Sequence, residues 1–385
     1  MVSAWPEVSY DRWRSTCDTL HAHTQVLGKL ATRLAPPEPQ LQHAALRLTA
    51  RGWETAPLPA PDGSGALVVA LDLHRHEAVV EHSGGRAERA GLTPHRPVGE
   101  VTREVLAAIR ALGGPVEIDP TPQEVPWAVP LDEDSEHTHY DPGEVADYFA
   151  AATQAALVLA AYRAPYRGRS TPVNAWWGSF DLAVSLFSGL AADPPSDDFI
   201  MRNAMDAQEV AIGWWPGDAR YGKAAFYTYA HPAPPGFADL PLSPDAAHWD
   251  PALGEYLLDW DDVRSDPDPR AAASLASAGK SSLPSSLMVR LAKSMGQNGS
   301  SGRSCGLAYA AITAPLRMTA ASRSALADKA TSTMRSTPSG ASRRIAEAAS
   351  DCRETTWSAV PSLTCPASAS VRTVPITVAP PHRAS

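Results

Sequence analysis

Cysteine is nearly missing from this chain, with four in 385 residues. Cys17 stands alone in the acidic body, and Cys305, Cys352 and Cys365 share no CxxC and no metal-like spacing. That pattern excludes a disulfide framework. Long apolar runs are also scarce. The longest, Tyr148 to Tyr162, is too short to span a bilayer and carries Gln154. The opening Met1-Val2-Ser3-Ala4-Trp5-Pro6-Glu7 holds neither a basic nor an apolar stretch, so no secretory signal is expected. Basic surface is the third shortage. Residues 1–270 hold 20 Lys+Arg against 38 Asp+Glu. Phosphate binding needs concentrated cations, so nucleic acid is excluded as a partner. The expectation is a soluble cytoplasmic protein away from membranes.

What is present is an alternation of helical and extended patterns. Trp5 to Leu34 reads as a helix capped by Asp11 and ended by Pro36-Pro37. Strands are expected at Leu46–Trp53, Leu67–Leu73 and Glu77–His82, then a helix over Val98–Leu112 and a short strand at Val116–Ile118. A loop rich in proline and acid follows, from Pro120 to Tyr140. Asp141-Pro142-Gly143-Glu144 has the form of a helix start, and that helix runs to about Tyr162. Strands follow at about Val173–Phe187, Glu209–Trp215, Ala224–Ala230 and Glu255–Trp260. The fold class is therefore α+β, with two helix-backed, largely antiparallel sheets that could descend from one duplicated unit. The corresponding division is 1–140, 141–270 and a tail at 271–385.

The tail differs in kind. It carries 13 Lys+Arg against 4 Asp+Glu and is dominated by Ala, Ser, Thr, Arg and Pro. Such composition reads as a disordered basic extension. A rival reading is translation in the wrong frame beyond codon 270, where the acidic, tryptophan-bearing body stops short of a closing helix. Gly279-Lys280-Ser281 imitates the end of a phosphate loop, but Ser274 stands where that pattern needs glycine.

The most informative stretch is Asn174-Ala175-Trp176-Trp177-Gly178-Ser179-Phe180-Asp181-Leu182-Ala183-Val184. Read as one strand, it puts Trp176, Phe180 and Leu182 on one face and Trp177, Ser179 and Asp181 on the other. Asp181 and Glu209 then fall on the polar faces of two strands. If the strands pair, a carboxylate pair with Tyr227 and Tyr229 nearby becomes the candidate acid–base couple. Ser179 lacks the strand–turn–helix setting of a hydrolase nucleophile. His21, Gln25 and Lys29 share one helix face, either lining a pocket or forming a polar outer stripe. His76, beside His74 and Asp72, and His137, amid Asp132, Glu133, Asp134 and Glu136, are candidate metal ligands. Their plainer reading is an exposed turn and a solvated acidic loop.

Several of these segments together resemble a bacterial family of unknown function over about residues 5–270. They are Trp5-Pro6-Glu7; Leu20, His21, Thr24, Gln25, Gly28 and Lys29; Thr49, Arg51 and Gly52; Asp134, His137, Tyr140 and Asp141; Trp177 to Ala183; Phe187 to Gly189; Trp215 to Gly217; and Ala225 to Tyr229. The resemblance implies no activity and no cofactor. It leads one to expect histidine where Asn174 and Gln208 stand, and a helix after Arg270. The functional expectation is a small polar or anionic ligand held in a cleft between two α+β halves by His21, Gln25, Lys29, Ser179, Asp181, Glu209, Tyr227 and Tyr229. A metal-assisted hydrolase or an acidic partner-binding protein using residues 131–141 are the alternatives. Nothing indicates an oligomeric state.

Overall fold

The computed structural model describes residues 5–240 and 244–276. Past Ala276, the expected tail and its Gly279-Lys280-Ser281 segment lie outside the described residues.

Helix α1 (Tyr10–Leu34) is the axis of the fold. Every residue from Thr19 to Ala31 is buried, polar ones included. A helix surrounded on all sides must find partners for its polar groups, and this requirement builds the site described below. Ser9, not Asp11, occupies the cap position and makes no side-chain cap bond; Asp11 lies in the first turn. After a short turn at Pro39–Ala44 comes the first sheet: β1 (Arg47–Leu48), β2 (Gly52–Glu54), β3 (Leu58–Pro59), β4 (Ala66–Asp72), β5 (Glu77–His82) and β6 (Ala87–Gly91). All its pairings are antiparallel. The single strand expected over 46–53 is a hairpin: Thr49 and Gly52 exchange backbone hydrogen bonds across the turn, and Gly52 opens β2 at φ 145°. Val116–Ile118 joins no sheet; Val116 and Ile118 pack on the core without a ladder partner.

Helix α2 (Val98–Gly113) backs the first sheet and stops at Gly114, φ 95°. Helix α3 (Pro142–Arg163) starts as expected. The Asp141 carboxylate accepts from the backbone N–H of Gly143 at 2.7 Å and of Glu144 at 2.9 Å, satisfying two of the free donors at a helix start. Among the described residues α3 alone is long and apolar enough to cross a membrane, and nearly half of it is buried in the protein's own core.

The second sheet has the spatial order β11 (His248–Asp250), β12 (Glu255–Asp259), β10 (Ala225–His231), β9 (Ala207–Trp215), β8 (Asp181–Ala191), β7 (Asn174–Trp176). It too is antiparallel throughout. Between β8 and β9 lies α4 (Phe199–Ala204), and after β12 come α5 (Trp260–Ser265) and α6 (Pro269–Ala276). The fold class is therefore α+β with two antiparallel sheets. Leu46 and Ala175 exchange both backbone hydrogen bonds at 2.9 Å, which ties the edges of the two sheets together. One face of the second sheet, with Leu182, Val184, Leu186, Trp214 and Phe226, shares a single hydrophobic core with α1, α3 and the first sheet. The other face carries the polar groups.

Candidate functional site

The tryptophan-bearing stretch is a β7–β8 hairpin, not one strand. Trp176 pairs with Asp181, so Trp177 to Phe180 form its turn, with Phe180 at φ 57°. Two anchors hold the turn. The Phe180 ring enters the centre of the core, 4.9 Å from His21, 5.2 Å from Trp53 and 5.2 Å from Tyr148. Trp177 lies flat on Gly28 of α1. A four-residue turn breaks period-two alternation, so Trp176 shares a face with Asp181, and Phe180 and Leu182 point into the core.

Register then assembles one titratable face. Ala183, Gly213 and Tyr227 align across β8, β9 and β10; Ser185, Ala211 and Tyr229 align one step further; Phe187, Glu209 and His231 follow. Asp181 is 5% exposed. It accepts hydrogen bonds from the Ser179 hydroxyl at 2.5 Å and from the Tyr227 hydroxyl. Burial lifts its carboxyl above the usual range, and the two donors oppose that lift. Tyr227 reaches it only because residue 213 is glycine: a Cβ there would lie 2.3 Å from the Tyr227 Cζ and Oη. Glu209 is buried and accepts from Tyr229 Oη at 3.5 Å. Burial pushes it up to about 7, against the hydroxyls of Ser185 and Tyr229 and the charge of Arg169.

A third carboxyl comes from a segment to which the sequence assigned no role. Glu124, at φ 60°, is exposed along its stem, while its carboxyl turns inward against Gly178. Burial of that carboxyl, then the charges of Asp181 and Asp198, push it up to about 7, against Arg220. Glu255 of β12 is raised to about 7 mainly by burial and next by Asp181, again against Arg220. Asp181, Glu124 and Glu209 line a cavity of about 110 Å³ together with Trp176, Trp177, Ser185, Tyr227 and Tyr229. Leu41 and the α4 side chains Ile200 and Met201 complete it, with Met205 beside them. Among the described residues no Lys or Arg lines it. One water needs about 10–15 Å³ on this measure, so the hollow suits a small molecule rather than a dinucleotide.

His21, Gln25 and Lys29 do share a face, but they stand one layer behind the cavity wall. His21 Nε2 lies 2.9 Å from the Trp177 carbonyl and 3.0 Å from that of Gly178. These two carbonyls are acceptors and lie closer than the Gln25 amide nitrogen at 3.4 Å, so Nε2 carries the proton. Burial lowers this imidazole to about 4, against those two bonds, and keeps it neutral. Gln25 grips the backbone of Gln123 from both sides, donating to its carbonyl at 2.8 Å and accepting from its N–H at 2.9 Å. Lys29 Nζ lies over the Trp177 ring at 5.6 Å. The helix face thus holds the two backbone segments that carry Ser179, Asp181 and Glu124. The expected histidine positions are occupied otherwise. Asn174 accepts from Arg47 and donates to Gln42 at 2.9 Å, while Gln208 accepts from Ser188 at 3.1 Å.

Other candidates lie apart from this cavity. His76 Nδ1 meets the Tyr140 hydroxyl at 3.0 Å in a tight turn, and Asp72 accepts from the N–H groups of His74 and Arg75. His137 Nδ1 donates to Asp134 at 2.7 Å, and Asp134 also accepts the N–H groups of Glu136 and His137. The acidic loop is therefore folded around Asp134. Among the described residues no three His, Cys, Asp or Glu side chains converge to hold a metal ion.

Backbone strain concentrates at the cavity. Of the six non-glycine residues with positive φ among the described residues, Gln40, Leu41 and Glu124 line it, and Phe180 sits between Ser179 and Asp181. Such conformations cost roughly 1–3 kcal/mol each and persist where function or packing requires them. Gly178 gives a direct test. An added Cβ would fall 2.1 Å from Glu124 Oε2 and 3.2 Å from Ile200 Cδ1. Only flexible side-chain ends obstruct it, so Gly178→Ala will displace the Glu124 carboxyl and leave the melting temperature within a few degrees, by about 1 kcal/mol or less. Crystallography of the variant, with Glu124 unmoved, would refute this.

Sequence reasoning missed Glu124, Glu255, Met201 of α4 and Met205 just after it. The one signal for Glu124 was its acid–proline loop, which reads equally as solvated surface. No curated protein matches the chain, and no solved structure does. The model of a family of unknown function (DUF5996) matches residues 5–276, and the chain belongs to that family.

Proposed function

We propose that the protein binds a small organic cation in the cavity on the second sheet. One observation carries this reading: Asp181, Glu124 and Glu209 face a single hollow that, among the described residues, no Lys or Arg lines. Carboxyls kept partly protonated by burial ionise when a cation arrives, and the returning charge pairing favours binding. Trp176 and the tyrosine pair line the same hollow, and aromatic rings attract a nearby cation. An anionic ligand, one of the sequence-based expectations, would meet carboxylates of its own sign.

The reading does not need a metal, because a compact ammonium group donates hydrogen bonds to scattered acceptors. It also leaves His21, Gln25 and Lys29 a defined part, which is to position the wall. Asp181 and Glu209 are the groups able to exchange protons with a bound amine.

Melting-temperature shifts across panels of small primary amines, neutral sugars and carboxylic acids test the proposal. Amines are expected to stabilise the protein, and Asp181→Asn to lose at least about tenfold in amine affinity. Gly178→Ala, which leaves Asp181 in place, should weaken the same amines. Stabilisation by the acids alone would overturn the reading.

A further inference from the structure

The carboxyls are not gathered at one point, and their spacing carries more information. Asp181 lies at the start of β8, and Glu209 pairs with Phe187, six residues further along that strand. The corresponding separation is about 20 Å between backbone positions. Both side chains lean inward from these ends. Asp181 takes the hydroxyl of Tyr227, and Glu209 that of Tyr229. The two tyrosine rings are parallel, with centroids 6.2 Å apart and 3° between their planes. Adding a hydrogen bond of about 3 Å at each end puts the two carboxyls on the order of 10 Å apart.

Between the ends the lining holds no charged group among the described residues, and its polar atoms are hydroxyls and amides: Ser185, Tyr227, Tyr229, Gln40 and Gln42. Ala183 lines its floor, and Gly213 and Ala211 leave the strands bare beneath the tyrosine rings. Above it stand Ile200, Met201 and Met205, and methionine adapts readily to an aliphatic chain. The cations nearby are held outside the lining. Arg169 is bound to Gln40 and lies 4.2 Å over the Phe187 ring, and Arg220 pairs with Asp218 at 2.6 Å.

Resting on the cation reading above, we infer that the ligand is a linear diamine, with one ammonium group at Asp181 and Glu124 and the other at Glu209. A four-carbon diamine spans about 6 Å between nitrogens and reaches both ends with charge-assisted bonds of about 2.8 Å. Its methylene chain lies along Ala183 beneath Met201 and Met205. A single ammonium uses one end only.

Isothermal titration of the full chain with putrescine and with butylamine separates the two levels of the argument. Putrescine should bind at least about tenfold more tightly than butylamine, and should release more protons per molecule bound in buffers of different ionisation heat. In Glu209→Gln, whose amide copies the protonated acid in shape, that advantage should collapse. Equal affinity for the two amines, or an advantage that survives Glu209→Gln, overturns the diamine inference while the cation pocket stands. If neither amine binds, both fall.

Discussion

Gly28→Ala will destabilise the protein by about 3 kcal/mol or more, at the upper end of what overpacking costs. In an exposed helix the same change stabilises by nearly 1 kcal/mol, since alanine is the better helix former. The sign reverses here because the Trp177 indole lies directly on the helix backbone. A Cβ at position 28 would sit 2.0 Å from the Trp177 Cγ, 2.1 Å from Cδ1 and 2.2 Å from Cδ2. The indole has no room to retreat: Trp177 is 3% exposed, and its carbonyl is held by His21. Moving it would drag the hairpin turn, and with it Ser179 and Asp181. Urea denaturation measures the effect, and a stable Gly28→Ala protein with unchanged amine binding would show that Trp177 does not rest on this helix.

That glycine also shows what the sequence makes legible. The period of the apolar residues yields α1, α2, α3 and most long strands, because burial of one face is a local pattern. The Asp141 cap is local too, and it stands where its residues predict. The Trp177–Phe180 turn was hidden for the opposite reason. Its tryptophans and phenylalanine satisfy strand alternation, and what bends the chain is a pair of distant pockets, Gly28 for Trp177 and the His21–Trp53–Tyr148 cluster for Phe180. The hairpin over 47–54 went unread because one glycine in a short alternating run looks like strand.

The candidate site was legible in half its parts. Asp181, Glu209, Tyr227 and Tyr229 share a face because strand period and antiparallel pairing both act locally, and the structure pairs β8, β9 and β10 in that order. His21, Gln25 and Lys29 were grouped correctly by helical period. Period reports which residues share a face, not what that face meets. Here it meets the backbone of Trp177, Gly178 and Gln123, so the polar stripe is buried and spent on main-chain partners. Glu124 was out of reach because its place depends on Gln25 gripping the neighbouring residue from 98 positions away.

Diamine affinity should rise about 100-fold between roughly pH 6 and pH 8, and monoamine affinity about tenfold, while the ligand-free protein loses stability toward the same end. The rise in affinity comes from Glu124 and Glu209, each lifted by burial from the ordinary 4.5 to about 7, and the loss of stability from these two together with Glu255, lifted to the same value. The groups around Glu209 are Ser185, Tyr229, Arg169 and Asp206, and those around Glu124 are Asp181, Asp198 and Arg220. An alkylammonium stays charged throughout and prefers the ionised carboxylate. Each acid passes from about one-tenth to nine-tenths ionised across this interval, which is about tenfold in affinity per group. For the ligand-free protein the sign is opposite. The folded state keeps protons that the unfolded chain has released above its ordinary value. Stability therefore falls as pH climbs from 4.5 to about 7 and levels beyond. Glu209→Gln should flatten part of that fall, since its amide stays neutral at every pH. Affinity that is flat or decreasing with pH would mean that these carboxyls do not meet the ligand, and the cation would have to be sought elsewhere on the protein.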